Sequence, residues 1–250
     1  MFRPVIILSG IILSSSVLAA TVSDTVPASQ YVIGLSPGLN WVSGNKTQTL
    51  NLEPDVQKTY TANNNSPSVA SGELFIGMQK LLPVHPMQHN LIGQVGIVVA
   101  GVGDTKLKGN IWEDADPAFN NFTYNYKVQH THVAIKGRLI GNCGWIFEPY
   151  VSGSIGVGFN RAYDFTVNPI VSSAVSAPLF GSNTTTTFVY TLGIGLQKSF
   201  NTHLQAALGY EFADWGKTQL SRATGQTLNH GLTQNHLYAN QIQLSLYYIF

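Results

Sequence analysis

The chain ends Gln241-Ile242-Gln243-Leu244-Ser245-Leu246-Tyr247-Tyr248-Ile249-Phe250. Side chains of a strand point alternately to its two sides, so Ile242, Leu244, Leu246, Tyr248 and Phe250 share one face, opposite Gln241, Gln243, Ser245 and Tyr247. One face is greasy and free of charge; the other is built from amides and a hydroxyl. A strand of a soluble sandwich turns its apolar face inward and a charged face to water. Here the polar face has amides in place of charges, the pattern of a strand with lipid on one side and a polar barrel lumen on the other.

The same alternation recurs upstream. Leu204, Ala206, Leu208, Tyr210 and Phe212 oppose Gln205, Ala207, Gly209, Glu211 and Ala213; Phe188, Tyr190, Leu192, Ile194 and Leu196 oppose Thr187, Thr191, Gly193, Gly195 and Gln197. Val151, Ile155, Val157 and Phe159 face away from Ser152, Ser154, Gly156, Gly158 and Asn160. In segment 128–140, Val133, Ile135 and Leu139 oppose His130, His132, Ala134, Lys136 and Arg138. Toward the N-terminus follow Leu91, Val95, Ile97 and Val99, then segment 73–82, whose outward set Leu74, Ile76 and Met78 runs on to a snorkelling Lys80. Tyr31, Ile33, Leu35, Leu39 and Trp41 complete eight segments. An open sheet edge in hydrocarbon leaves backbone groups unpaired, so these strands must close on themselves. The expected fold is all-β: an eight-stranded antiparallel transmembrane barrel of up-and-down meander topology.

Composition agrees. Only 10% of the 250 residues are charged, 13 Lys+Arg against 12 Asp+Glu, where soluble domains average about 25%. A net charge of +1 offers nucleic acid no attraction. One Cys excludes a disulfide framework and a Cys-based zinc site. The N-terminus has Arg3, an apolar core from Val5 to Leu13 and the small residues Ala19-Ala20, the three parts of a signal peptide. We therefore expect residues 1–19 to be removed and residues 20–250 to form the outer-membrane barrel domain of an exported protein, with a formal net charge of zero.

Connections alternate in length. Gaps 43–72, 103–122, 160–186 and 214–235 are long and polar; 83–90, 141–144 and 199–202 are short. Long exterior loops and short periplasmic turns, with both termini on the turn side, are the outer-membrane arrangement. Aromatics expected in the headgroup girdle are Trp41 and Trp215 at the loop ends and Tyr31, Trp145 and Phe250 at the turn ends.

The terminal segment 241–250, Gly209-Tyr210-Glu211-Phe212 with Ala213 to Lys217 after it, and the run from Tyr150 to Phe159 resemble small outer-membrane barrels of the opacity-protein and OmpX-like type. That resemblance spans roughly residues 28–250. It implies a Gram-negative outer membrane, assembly by the barrel-insertion machinery reading the C-terminal strand, and exterior loops used for adhesion, host or surface-ligand binding. A C-terminal peptidoglycan-binding domain is not seen, so wall anchoring is not carried over.

Candidate chemistry is sparse. Eight strands leave a lumen that side chains can fill, and Gln94, His130, His132, Lys136, Arg138, Glu148, Gln197, Gln205, Glu211, Gln241 and Gln243 face it. Mixed signs point to a mutually paired polar plug, with Lys136 and Arg138 near Glu148 and Glu211; a narrow channel for small solutes or ions is the alternative. His130 and His132 are two apart on one face, but no third metal ligand is identifiable. Outer-membrane lipid A deacylases resemble this pair in setting a His and a Ser two apart; here no Ser accompanies either His, which disfavours a lipid-modifying enzyme. His85 and His89 flank a proline turn, and Cys143 sits in a tight one. Glu113, Asp114 and Asp116 form an acidic knot in an exterior loop without the spacing of a Ca²⁺ loop. The expected function is non-enzymatic, with no cofactor and no metal. Outer-membrane lipid and lipopolysaccharide are the expected surroundings, and the exterior loops the working surface.

Overall fold

The computed structural model describes residues 29–63, 68–82, 90–142, 144–171 and 178–250. The leader 1–19, the turn carrying His85 and His89, and Cys143 lie outside them. Twelve strands follow in chain order: β1 (Gln30–Ser43), β2 (Gln48–Glu53), β3 (Val56–Tyr60), β4 (Val69–Leu82), β5 (Asn90–Glu113), β6 (Asn120–Asn142), β7 (Glu148–Pro169), β8 (Asn183–Ser199), β9 (Leu204–Asp214), β10 (Thr218–Gln219), β11 (Thr233–Gln234) and β12 (Tyr238–Ile249).

Eight of these close a ring in the order β1-β4-β5-β6-β7-β8-β9-β12, every pair antiparallel. Closure pairs the ends of the chain: Ile33 lies opposite Tyr248 and Leu35 opposite Leu246, while Tyr31 and Phe250 exchange both backbone hydrogen bonds at 3.0 Å. The last strand is therefore an obligatory stave. The eight segments expected from alternation are these eight strands.

On the outer wall Ile76, Ile97, Ile135, Ile155, Leu192 and Leu244 are each exposed by about three fifths. An apolar surface running round a whole ring is far larger than the few hundred Å² a water-soluble monomer shows, and it is the lipid-facing wall of a transmembrane barrel. No described helix is long and apolar enough to cross a membrane.

Toward the loop end the structure departs from expectation. Gap 103–122 is mostly strand: β5 runs on to Glu113 and β6 starts at Asn120. β7 continues to Pro169, and the first gap holds the β2–β3 hairpin, whose β3 pairs with the extended β5. Two bulges mark where the extensions begin. Between the Val102–His130 and Thr105–Val128 pairs β5 holds one extra residue; between the Lys127–Tyr163 and Asn125–Thr166 pairs β7 holds one extra, beside Asp164 at φ 57°. An extra residue shifts which side chains point inward. In β5 the inward set passes from Val98, Ala100 and Val102 to Thr105, Leu107 and Ile111, and in β7 from Asn160 and Ala162 to Phe165.

The lining inverts at the same height. Beyond the bulges the inside is apolar: Tyr60, Leu107, Ile111, Phe122, Tyr124, Tyr126, Phe165 and Phe180 pack with Leu220, Leu232 and Leu237 from the last connection. The outward positions there are Lys106, Lys108, Asn125 and Thr166. The strands thus build two tiers, lipid-type below and water-type above. Each large apolar side chain buried in the upper tier contributes about 1.5–3 kcal/mol.

Candidate functional site

The lumen is filled in layers. Nearest the turn end, Arg138 from β6 lies between the rings of Tyr150 (4.2 Å) and Tyr247 (4.3 Å). Tyr150 can cross the lumen because Gly195 and Gly209 face it; a Cβ on either would collide with its ring, as one on Gly34 would with Tyr247. The guanidinium donates to Gln94 Oε1 (2.8 Å) and Gln197 Oε1 (3.1 Å). Those amides pass the pattern on: Gln94 Nε2 donates to Gln79 Oε1 (3.0 Å), Gln79 Nε2 to Gln30 Oε1 (2.9 Å), and Gln197 Nε2 to Gln205 Oε1 (3.0 Å). One cation orients five amides.

In the next layer Lys136 Nζ is 2.8 Å from Glu73 Oε1 and 2.8 Å from Glu211 Oε2, all three side chains at most 5% exposed. Ser154 and Thr191 hydroxyls meet at 2.8 Å, Gln241 Nε2 donates to Ser71 Oγ (2.9 Å), and Gln243 is buried on the same inner wall.

Above the charges stands a chain of rings. Asn160 Nδ2 donates to the Trp215 (2.7 Å) and Lys217 (2.9 Å) carbonyls, so its Oδ1 is left to face His130 Nδ1 at 2.6 Å. His130 Nδ1 must then be the donor, which makes Nε2 an acceptor in the neutral ring; His132 Nδ1, 2.9 Å away, donates to it. The hydrogen-bond pattern thus assigns both tautomers. Trp215 stacks on His130 at 4.5 Å and 9°. Among the described residues no group of three or more His, Cys, Asp or Glu is placed to hold a metal ion.

Trp215 is 2% exposed and closes the lumen from inside; it is no part of a girdle, because the chain turns inward at Asp214, whose carboxylate accepts from the Gly216 N–H (2.8 Å). Tyr31, Trp41, Trp145 and Phe250 do stand on the outer surface. Glu148 is half-buried at the turn-end rim, where Gln197 Nε2 (3.5 Å) and Ser199 Oγ (3.4 Å) reach it; it pairs with neither Lys136 nor Arg138. The carboxylate that takes that place is Glu73, outside the set expected from the sequence, and its inward parity with Phe75 is the signal that marks it. Gln94, His130, His132, Lys136, Arg138, Glu211, Gln241 and Gln243 are all buried.

The acidic knot is not one site. Glu113 ends β5 and pairs with Lys58 of the hairpin at 2.9 Å. Burial pushes its carboxyl up, but hydrogen bonds from Lys58 and Asn121 outweigh that and leave it below its usual value. Asp114 occupies a left-handed turn position at φ 50°, and Asp116 Oδ1 accepts from Ala118 N (2.9 Å) to cap a short 3₁₀ turn, Pro117–Phe119. In the core above, burial raises the Tyr60, Tyr124 and Tyr126 phenols above their usual range, so they stay neutral, and Tyr124 donates to the Thr61 carbonyl (2.9 Å).

A closed antiparallel ring with an apolar outer wall and a polar, filled lumen defines a transmembrane β-barrel. No protein-family model and no curated protein matches the sequence. Among solved structures the chain is similar to Neisserial surface protein A, with 7% identity, 88% of this chain and 97% of that one covered and a TM-score of 0.48. It is also similar to the outer membrane protein OprG of Pseudomonas aeruginosa (11%, 90% and 97%, 0.44) and to the outer membrane protease OmpT of Escherichia coli (9%, 92% and 99%, 0.44).

Proposed function

We propose that this chain is an integral outer-membrane protein whose barrel is a sealed anchor and whose upper tier, on the cell exterior, makes non-catalytic contacts with a surface or soluble ligand. The observation that carries this reading is the upper tier itself: strands β5, β6 and β7 continue past the apolar wall, the β2–β3 hairpin extends their sheet, and an aromatic core holds them. Contact surfaces are held best by a rigid scaffold. The sealed anchor is supported by the three lumen layers, which put side chains across the bore at Arg138, at Lys136 and at the His130–Trp215 stack. The signal-peptide features of residues 1–19 and the terminal aromatic strand support delivery to the outer membrane and recognition of β12 by the assembly machinery.

The test is display on intact cells. Replacing 48–60 by a short linker should abolish adhesion, ligand capture or serum resistance gained by expressing the protein, while the barrel still migrates faster unheated than boiled in SDS. Equal activity with and without the hairpin would sink the contact role. Two further measurements separate the alternatives. Single-channel steps in planar bilayers that vanish with Lys136→Met would establish a channel, and a changed lipid A mass after incubation would establish an enzyme.

A further inference from the structure

Just beyond the apolar wall, one sector of the barrel has a charge pattern that its own carboxylates do not balance. On the outward face of the extended β5–β6–β7 sheet, Lys106 lies directly opposite Lys127, which lies opposite Tyr163. Arg161 stacks on that Tyr163 ring at 4.9 Å, and Lys127 Nζ stands 5.9 Å from its centroid. Lys108 is the next outward residue of β5, and Lys106, Lys108 and Arg161 are all exposed. Four cations therefore crowd one face. Like charges directly opposite across strands repel.

The nearby acids are already engaged. Asp164 pairs with Lys127 at 2.8 Å, and Asp104 acts on the same Lys127 and on Tyr163, so two carboxylates face four cations. Among the described residues the ion pairs leave Lys106, Lys108 and Arg161 without a carboxylate. Among the described residues the other ring strands carry no such cluster: toward the loop end the outward residues of β4, β1, β12, β9 and β8 are Ala70, Trp41, Tyr238, Asn240, Phe212, Thr184 and Thr186.

Height identifies the partner. Phe159 and Thr131 are opposite each other at the top of the apolar wall. Arg161 is two residues beyond Phe159 and Lys127 four beyond Thr131, which on strands tilted by about 45° places them about 5 and about 10 Å above the hydrocarbon edge. The headgroup layer is about 5–8 Å thick on each side, so Arg161 lies within it, while Lys127 and the Lys106 opposite it start at its outer edge, with Lys108 a step above, and long lysine stems can reach down into it. We propose that this face of β5–β7 binds the phosphate groups of a phosphorylated lipid in the surrounding loop-side leaflet. The acyl chains lie along Val99, Val133, Val157 and Phe159 below, and Arg161, Lys106 and Lys108 meet the phosphates. Continuity of the cationic face with the lipid wall favours a lipid over a soluble anion. The inference goes beyond the contact role above: it needs only the membrane-spanning barrel and concerns its flank.

The experiment uses the full barrel in phosphatidylcholine nanodiscs doped with bisphosphorylated lipid A or with its dephosphorylated form, reading lipid retained through purification by mass spectrometry. The wild type should retain the phosphorylated form about tenfold better, and the preference should shrink as salt rises. The variant Lys106→Gln/Lys108→Gln/Arg161→Gln should lose the preference, and Lys198→Gln, at the other end of the barrel, should keep it. Arg161→Gln alone should lose part of it, which covers failure of the triple variant to assemble. Equal retention of both lipids by the wild type, or a preference undiminished in the variants, overturns the proposal. Displacement of the lipid by an equal concentration of inorganic phosphate overturns the choice of a lipid as partner.

Discussion

Lys136 shows how much one side chain can hold in place. It is the counter-charge of both Glu73 and Glu211, and all three are out of water. Removing one partner of a buried ion cluster leaves the others charged and unsolvated, at a cost of about 3–5 kcal/mol. Lys136→Met should therefore destabilise the barrel by about that much in urea unfolding followed by tryptophan fluorescence, and Lys136→Met/Glu73→Gln/Glu211→Gln should recover most of it. A neutral result for the single variant would show that the layer is hydrated and open. Glu113 makes a gentler, pH-dependent prediction. Its carboxyl is raised by burial but held below the usual carboxylate value by hydrogen bonds from Lys58 and Asn121, so the stabilisation it gives the β3–β5 contact is present above the usual value and is lost as pH falls through its lowered one. Amide exchange in Val56–Tyr60 should accelerate on acidification, and Glu113→Gln should remove that acceleration.

At the scale of elements, the bulges decide which solvent each face meets. At unchanged length a strand without its bulge would turn Leu107, Ile111 or Phe165 outward, whereas deleting Asp104 from β5 or Asp164 from β7 removes the extra residue itself and keeps them inward in regular pairing. We expect the upper tier of such deletion variants to resist proteolysis as the wild type does, with the ring keeping its heat-dependent migration; cleavage of the tier would mean that the bulge holds more than the register. The same bulges explain what the sequence concealed. Constant period-two alternation made all eight staves legible, Gln241 to Phe250 most clearly. In β5 and β7 the one-residue slip and the inversion of polarity cancel along the sequence, so odd positions stay apolar through Val99, Leu107 and Ile111 and through Phe159, Phe165 and Val167; the stretches at the bulges, Gly101-Val102-Gly103-Asp104 and Arg161-Ala162-Tyr163-Asp164, are turn-like in composition and end the two alternating segments early. β6 has no extra residue, and Phe122-Thr123-Tyr124-Asn125-Tyr126-Lys127-Val128 alternates in phase with His130 and His132; it was the one readable trace of the upper tier. Of the lumen, individual inward residues were legible from parity, but partners were not. Which carboxylate meets Lys136 depends on stagger around the ring, and no single strand encodes it.

For the whole molecule, lumen layers and aromatic core together predict a barrel that resists SDS, shifts on heating and gives no stable conductance steps in planar bilayers. The four tryptophans then acquire a use unrelated to stability. Trp145 is 72% exposed at the turn end and Trp41 41% exposed toward the loop end, Trp112 lies in the upper tier, and Trp215 is sealed inside on His130. They stand at four depths with four kinds of surroundings, so the protein contains its own optical ruler. Brominated acyl chains should quench Trp41 and Trp145, and aqueous iodide should reach Trp112. Trp215 should stay dark to both until the barrel opens, which would let a single emission band report insertion, tier collapse and unsealing as separate events.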